Sequence, residues 1–231
     1  MKLTYLYKFL YLGIIGISLF AVQSCSSDDN EEALEPTQVN GHEVVDLGLS
    51  VKWATCNIGA ASPTECGNYY AWGETTTKNN YYWETYKWCN GDNESLTKYC
   101  DTDGLTVLSS SDDVATVKWG NKWRTPTKKE YEELFRRCEV EWTKKDNVNG
   151  CLVTGPSGKS IFLPAAGFRS LTDLRHNGTY GSYFTATLYS SGDNDDYAYT
   201  FTFEQNKSIK EEWGIFWGLR CFGFPVRAVC E

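Results

Sequence analysis

The chain has 231 residues, with 22 Lys or Arg against 30 Asp or Glu and a formal net charge of −8 at pH 7. Its basic pairs, such as Lys128-Lys129 and Arg136-Arg137, are isolated, so the charge argues against a nucleic-acid partner. The high aromatic content, 15% Phe, Trp and Tyr, is typical of antiparallel sheets and of recognition surfaces.

Residues 1–24 have the pattern of a cleavable lipoprotein signal peptide. Lys2 and Lys8 supply a positive start, and the apolar run at residues 10–22 is too short to span a bilayer comfortably. We expect cleavage before Cys25 and acylation of that residue, so that outer-membrane lipid holds the mature chain. The alternative is an ordinary secretory leader with an incidental cysteine, because Val22-Gln23-Ser24 matches the usual cleavage box only loosely.

Residues 25–40 are acidic and contain few apolar groups. They begin with Ser26-Ser27-Asp28-Asp29-Asn30-Glu31-Glu32, which cannot bury enough apolar surface to fold, so we predict a disordered tether. The segment resembles the Ser-Asp-Asp-rich export signal of Bacteroides-type lipoproteins. That resemblance implies an outer-membrane anchor with the protein facing the cell exterior, and residues 41–231 then form a single-domain head.

The first half of the head has one alternating segment and then loses its pattern. Apolar and polar residues alternate at 45–53, which predicts a half-buried strand or a hairpin turning at Gly48-Leu49-Ser50. The stretch at 75–111 has no regular pattern, and we expect an ordered excursion pinned by Cys89 and Cys100.

Two helices are predicted in the middle of the chain. A short helix begins near Ser111-Asp112, and a longer one follows Pro126, where Thr127 and Glu130 match a capping box. The apolar face of the longer helix has the spacing i, i+3, i+4 and i+7 and consists of Tyr131, Leu134, Phe135 and Cys138.

The remaining chain predicts antiparallel strands. We expect a hairpin of residues 152–154 and 160–164, strands at 183–189 and 197–203, and a last strand at 224–230. One or two short helices packed on antiparallel sheets define a loop-rich α+β domain.

Eight cysteines remain besides Cys25, an even number that favours disulfides in an exported chain. The sequence cannot choose among the many pairings. The simplest set is sequence-local: Cys56 with Cys66, Cys89 with Cys100, Cys138 with Cys151, and Cys221 with Cys230. A metal site is not expected, because no two cysteines have a two-residue spacing and the chain has only two histidines, His42 and His176.

Three segments together resemble one known family: VDLGLSVKWATCNIG at residues 45–59, WGNKWRTPT at 119–127 and SIFLPAAGFR at 160–169. They are similar to the Fibrobacter succinogenes major paralogous domain, and the resemblance covers the head from about His42 to Cys230. It implies a C-type lectin-like fold, in which the first and last strands pair. It implies no single activity, because lectins, formylglycine-generating enzymes and protein-binding domains share this fold.

No group of residues predicts catalysis or a cofactor, because no nucleophile, base and orienting group occur together. Asp193-Asn194-Asp195-Asp196 offers oxygen ligands for calcium but is more typical of a solvated turn. Arg124 and Arg169 are expected to brace the start of the longer helix and the loop at 164–168.

The region at residues 180–222 mixes aromatic anchors with Ser, Asn and Asp, as recognition surfaces do. Within it, the alternation at 197–203 favours core packing of those rings. The candidate ligand-binding residues are Trp213, Trp217, Tyr189, Asp193 and Asp195.

The sequence therefore predicts a non-enzymatic surface lipoprotein whose head binds a glycan or a protein. One alternative is a structural or accessory subunit of a surface assembly, such as a fimbrial tip or a glycan-uptake complex. Another is an enzyme of the formylglycine-generating type.

Overall fold

A computed structural model of the chain describes residues 37–189 and 195–231. The predicted signal peptide, Cys25, most of the tether and Asp193 lie outside these ranges. Within them, no helix is long and apolar enough to cross a membrane.

Four antiparallel strands form the first sheet, in the order β1 (Gln38–Val39), β2 (His42–Val45), β3 (Lys52–Asn57) and β12 (Arg227–Cys230). Gln38 pairs with Glu43, so the folded head includes residues that were assigned to the tether, and the predicted boundary at residue 41 is too late. Val45 pairs with Trp53, which confirms the hairpin interpretation of the alternating segment.

The last strand lies beside β3 and not beside the first strand, because the β1–β2 hairpin leaves only the other edge of β3 free. It is also shorter than predicted. Pro225 has no N–H to donate to a neighbouring strand, and regular pairing begins after it.

Two further antiparallel sheets and a two-stranded ribbon follow. Their strands are β4 (Glu139–Lys145), β5 (Val148–Thr154) and β6 (Ser160–Pro164) in one sheet, β7 (Phe168–Ser170) and β8 (Asp173–Arg175) in the ribbon, and β9 (Tyr180–Leu188), β10 (Tyr197–Glu204) and β11 (Gly214–Leu219) in the other, with β10 central.

The predicted hairpin of β5 with β6 and the predicted strands at 183–189 and 197–203 are confirmed, and β9 and β10 pair with each other. No strand was predicted at β4, although Asp146 and Asn147, which join it to β5, both have positive φ and are typical of a tight hairpin turn. No strand was predicted at β11 either, which lies inside the predicted binding region.

The helices are α1 (Val114–Trp119), α2 (Lys128–Arg137) and α3 (Ile209–Glu212), together with a 3-10 turn at Trp83–Thr85. The predicted capping box of α2 is present, with reciprocal hydrogen bonds between Thr127 and Glu130. Arg124 donates from both terminal nitrogens to the Glu130 carboxylate, which confirms its predicted bracing role. The mainly antiparallel sheets and short helices make the fold α+β.

The apolar face of α2 packs on two sheets at once. The Tyr131 ring lies 5.0 Å from Trp53 on β3 and 5.2 Å from Phe201 on β10, measured between ring centroids. Leu134 is fully buried, and Phe135 packs against the same core. The predicted helical face is therefore the centre of the main core.

Residues 75–111 are irregular apart from the 3-10 turn, as expected, but no disulfide holds them. Tyrosine hydroxyls do so: Tyr81 donates to the carbonyl of Tyr69 at 2.7 Å and Tyr86 to that of Trp72 at 2.7 Å. These bonds satisfy buried backbone groups that have no strand partner.

Arg227 is fully buried and connects three strands. Its guanidinium donates to the side-chain oxygen of Asn57 at 2.8 Å and to the carbonyls of Ala54 at 3.1 Å, Thr55 at 2.8 Å and Phe162 at 2.9 Å. A single side chain on β12 therefore bonds to β3 and to β6.

Arg220, also fully buried, follows β11 and bonds to the irregular part of the chain. It donates to the hydroxyl of Tyr86 at 3.0 Å and to the carbonyls of Lys98 at 2.8 Å, Tyr99 at 2.9 Å and Asp195 at 2.9 Å. The irregular excursion is thereby attached to the sheet of β9, β10 and β11.

Replacing Arg227 by alanine is expected to lower the free energy of unfolding by about 3–5 kcal/mol, because Asn57 and three carbonyls lose their buried donor. Urea denaturation followed by tryptophan fluorescence measures the change. Arg175→Ala is the control, since its ion pair with Asp173 is exposed and 3.6 Å long, and we expect a change within about 0.5 kcal/mol. A loss below about 1 kcal/mol in Arg227→Ala would contradict the assigned role.

Candidate functional site

Trp217 and Tyr189 form a stacked pair at the protein surface. Trp217 lies on β11 with 53% of its surface exposed, and Tyr189 directly follows β9. Their ring centroids are 5.2 Å apart and the ring planes differ by 28°. Two of the five predicted ligand-binding residues are therefore brought together.

Strand register explains why these distant residues meet. Tyr199 on the central strand β10 pairs directly with Trp217, and its ring meets Tyr189 edge-on with centroids 5.1 Å apart. The backbone N–H of Tyr189 donates to the carbonyl of Tyr197 at 3.1 Å. We call Trp217, Tyr189 and Tyr199 the aromatic surface.

The first turn of α2 contributes a cation beside this surface. The ammonium of Lys128 lies 4.2 Å from the centroid of the Tyr199 ring, within the range of a cation–π contact. Lys128 also lies 3.4 Å from a carboxylate oxygen of Glu132. Aromatic, cationic and anionic groups are therefore available side by side.

Sequence reasoning did not predict Tyr199 or Lys128 as part of this site. Tyr199 belonged to the alternating series that was predicted to fill the core, and that prediction is right for its neighbours Phe201 and Phe203, which are fully buried. The apolar run at 215–217 between Gly214 and Gly218 was the available signal for β11, which would have placed Tyr199 opposite Trp217.

Trp213 is not exposed, and its prediction as a binding residue is wrong. Only 4% of its surface is accessible, and its ring packs in the main core 5.7 Å from Phe203. The indole N–H donates to the carbonyl of Glu204 at 3.0 Å. Gly214, with φ of +133°, follows directly and leads from α3 into β11, so Trp213 stays on the core side of this bend.

In the described part of the chain, the acidic candidate Asp195 does not belong to a cation site. Asp195 offers its backbone carbonyl to Arg220, and a carboxylate oxygen of Asp196 accepts a hydrogen bond from Asn93 at 2.7 Å. Burial raises the pKa of Asp195, and the nearby carboxylate of Asp101 raises it further. No group of three potential metal ligands occurs within residues 37–189 and 195–231, and Asp193 falls in the gap between them.

All eight head cysteines lie in the described ranges, and all are free thiols, so the predicted pairings are wrong. Cys221 and Cys230 belong to different hydrophobic clusters and do not meet. Cys89 donates instead to the carbonyl of Trp83 at 3.1 Å, and Cys151 is fully buried in the main core. These thiols pack as small apolar side chains.

Burial also makes several of these thiols poor nucleophiles. It raises the pKa of Cys138 to about 11 and the pKa values of Cys151 and Cys221 to about 12. The reactive thiolate is therefore scarce at neutral pH.

Comparisons with known proteins provide no additional site. No family model, no curated protein and no solved structure matches the chain. The candidate site therefore rests on its own geometry.

Alkylation tests the thiol assignment. We expect iodoacetamide near neutral pH to leave Cys151 and Cys221 unmodified in the native protein, because both are buried and protonated. After unfolding without a reductant, all eight head cysteines should be alkylated when peptides are read by mass spectrometry. Any pair that reacts only after reduction would show a disulfide and contradict the assignment.

The two tryptophans on either side of Gly214 should differ sharply in their effect on stability. Trp213→Ala is expected to cost about 3–5 kcal/mol, because it empties a core position. Trp217→Ala should cost less than about 1 kcal/mol, because more than half of the indole is already in water. Urea denaturation of the two variants in parallel measures both losses in the free energy of unfolding. Equal losses would contradict the assignment of Trp213 to the core and Trp217 to the surface.

Proposed function

We propose that the protein is a non-enzymatic recognition protein whose head binds a macromolecular ligand, a glycan or a protein, through the aromatic surface. The observation that carries this proposal is the exposed Trp217 stacked on the half-buried Tyr189. An indole that is half in water while its neighbours hold it in place has apolar area left for a ligand to cover.

The surface is suited to binding because it is preorganised. Trp217 and Tyr199 lie on paired strands, and Tyr189 is fixed by its backbone hydrogen bond and by both rings. Rigid aromatic side chains lose little conformational entropy when a ligand covers them. Sugar rings and the apolar anchors of proteins both pack on such rings, and Lys128 at the rim offers donors to either.

The proposal of a non-catalytic role is supported by three of the eight head thiols. An enzyme of the formylglycine-generating type needs cysteines that form thiolates readily, whereas burial raises the pKa values of Cys138, Cys151 and Cys221. The aromatic surface lacks a nucleophile paired with a base in the described part of the chain.

We further propose that the head is a C-type lectin-like domain of the Fibrobacter succinogenes major paralogous family, tethered to the outer membrane through acylated Cys25 and facing outward. In support of the fold, the Arg-Thr-Pro-Thr segment at 124–127 leads into α2, and the last strand lies in the same sheet as the first although it pairs with β3. The lipid anchor rests on the signal-peptide pattern and on the acidic segment after Cys25.

Screening the purified full chain on glycan and protein arrays tests the binding role. For any ligand found, Trp217→Ala is expected to weaken binding by about tenfold or more, because central aromatic anchors contribute most of the binding energy at such surfaces. Tyr82→Ala is the matched control, since Tyr82 is 40% exposed but lies in the irregular excursion. Unchanged affinity in Trp217→Ala, or an equal loss in Tyr82→Ala, would rule out the aromatic surface as the site.

A further inference from the structure

A concave surface elsewhere on the head shares no residue with the aromatic surface. It consists of two cavities of about 470 and 460 Å³, which adjoin because Asn68 and Thr77 line both. His42 and Trp119 lie in the first cavity, and Arg169 lies in the second. We call the two together the basic groove.

The charge of this groove is opposite to that of the chain. Its charged lining residues are Lys118, Lys78 and Arg169, and no Asp or Glu of the described residues lines either cavity. The chain as a whole has 30 acidic residues against 22 basic ones. Lys78 is balanced by Glu74 at 2.8 Å, so Lys118 and Arg169 are the lining cations without an ion-pair partner among residues 37–189 and 195–231.

Arg169 does not have the loop-closing role that the sequence suggested. Its backbone exchanges hydrogen bonds with Gly223 at 2.8 and 2.9 Å. Its guanidinium lies 5.3 Å from the centroid of the Tyr69 ring, and no carboxylate described in the structure lies within ion-pair distance of it. The predicted bracing of the loop at 164–168 is therefore wrong for this side chain.

The Tyr69 ring that supports the guanidinium is itself fixed. It is buried, and its hydroxyl donates to the carbonyl of Ala166 at 2.6 Å. A guanidinium held on a rigid ring keeps its planar donors available to a carboxylate, which it binds with two parallel hydrogen bonds.

The other end of the groove has the features of a sugar platform. The Trp119 ring is half-buried and stacks on His42 with centroids 3.9 Å apart, so its orientation is set before any ligand arrives. Between Trp119 and Arg169, the walls carry the amides of Asn68 and Asn79 and the hydroxyl of Thr77. Amides and hydroxyls are suitable partners for sugar hydroxyls, and an indole is suitable for the apolar face of a sugar ring.

We propose that the basic groove binds a glycan that contains uronic acid residues. Arg169 holds one sugar carboxylate through its paired donors, and at the other end of the groove Lys118 attracts a second carboxylate while Trp119 packs against a sugar ring. This site goes beyond the function proposed for the aromatic surface and does not depend on it.

Isothermal titration of the full chain with polygalacturonate, and in parallel with alginate, tests the proposal. The buffer contains a chelator so that calcium cannot bridge the polymer to acidic side chains. Fully methyl-esterified polygalacturonate has the same sugars without the charge, and polyglutamate has the charge without the sugars. We expect binding of at least one of the two uronates and of neither comparison polymer.

Variants locate the site. Arg169→Ala should weaken uronate binding by about tenfold or more, because a charge-assisted pair of hydrogen bonds is lost. Arg169→Lys should recover only part of the affinity, since a lysine cannot make the paired contact. Arg175→Ala should bind like the unmodified chain, and unfolding curves confirm that each variant is folded.

Four results would overturn the proposal: no binding of either uronate, equal binding of the methyl ester, equal binding of polyglutamate, or full affinity in Arg169→Ala. If Trp217→Ala loses uronate binding and Arg169→Ala keeps it, the glycan binds at the aromatic surface instead. If only Arg169→Ala loses uronate binding, the basic groove is the uronate site. The function proposed for the aromatic surface is then decided by the array experiment.

Discussion

The fold depends on a buried positive charge with no carboxylate partner among its contacts. Burial lowers the pKa of Arg227, which means that the interior disfavours the charged guanidinium. Four hydrogen bonds to Asn57 and to the carbonyls of Ala54, Thr55 and Phe162 offset that cost. All four acceptors must be in place together, so β3, β6 and β12 form one cooperative unit. Arg220 acts in the same way between the irregular excursion and the end of β11.

Both proposed surfaces are rigid because of this arrangement. Trp217 and Tyr199 of the aromatic surface lie on β11 and β10. Arg220, which directly follows β11, donates hydrogen bonds to the carbonyls of Tyr99 and Asp195 and so holds the end of this strand pair. The basic groove is lined by His42 on β2, by Lys118 and Trp119 at the end of α1, by Arg169 on β7 and by the loop that follows β3, the strand that Arg227 connects to β12. Binding residues on loops are useful only where the underlying sheets do not move, and here each surface has a buried arginine beside its supporting strands.

Local signals in the sequence predicted what local chemistry determines. The capping box fixed the start of α2, and the alternation at 197–203 identified β10, because both depend on residues close in the chain. Trp213 and Trp217 show the limit of prediction from local sequence. Both are tryptophans followed by glycine, yet Trp213 is in the core and Trp217 is exposed to water. Their difference comes from the bend at Gly214 and the pairing of β11, which involve distant residues. The predicted disulfides were wrong for a related reason, because a head of this size can bury cysteines as ordinary apolar side chains.

The negative charge of the chain makes the basic groove selective. At physiological ionic strength the Debye length is about 8 Å, so the repulsion of a polyanion by distant carboxylates is largely screened, while a direct contact with Arg169 is screened much less. A polyanion that makes only diffuse contacts gains nothing from such a surface. One that places a carboxylate on Arg169 and a sugar ring on Trp119 gains short-range contacts that the acidic surroundings do not cancel. The acidic surface therefore offers a polyanion no attraction outside the groove, and the groove admits those polyanions whose shape and charge fit together.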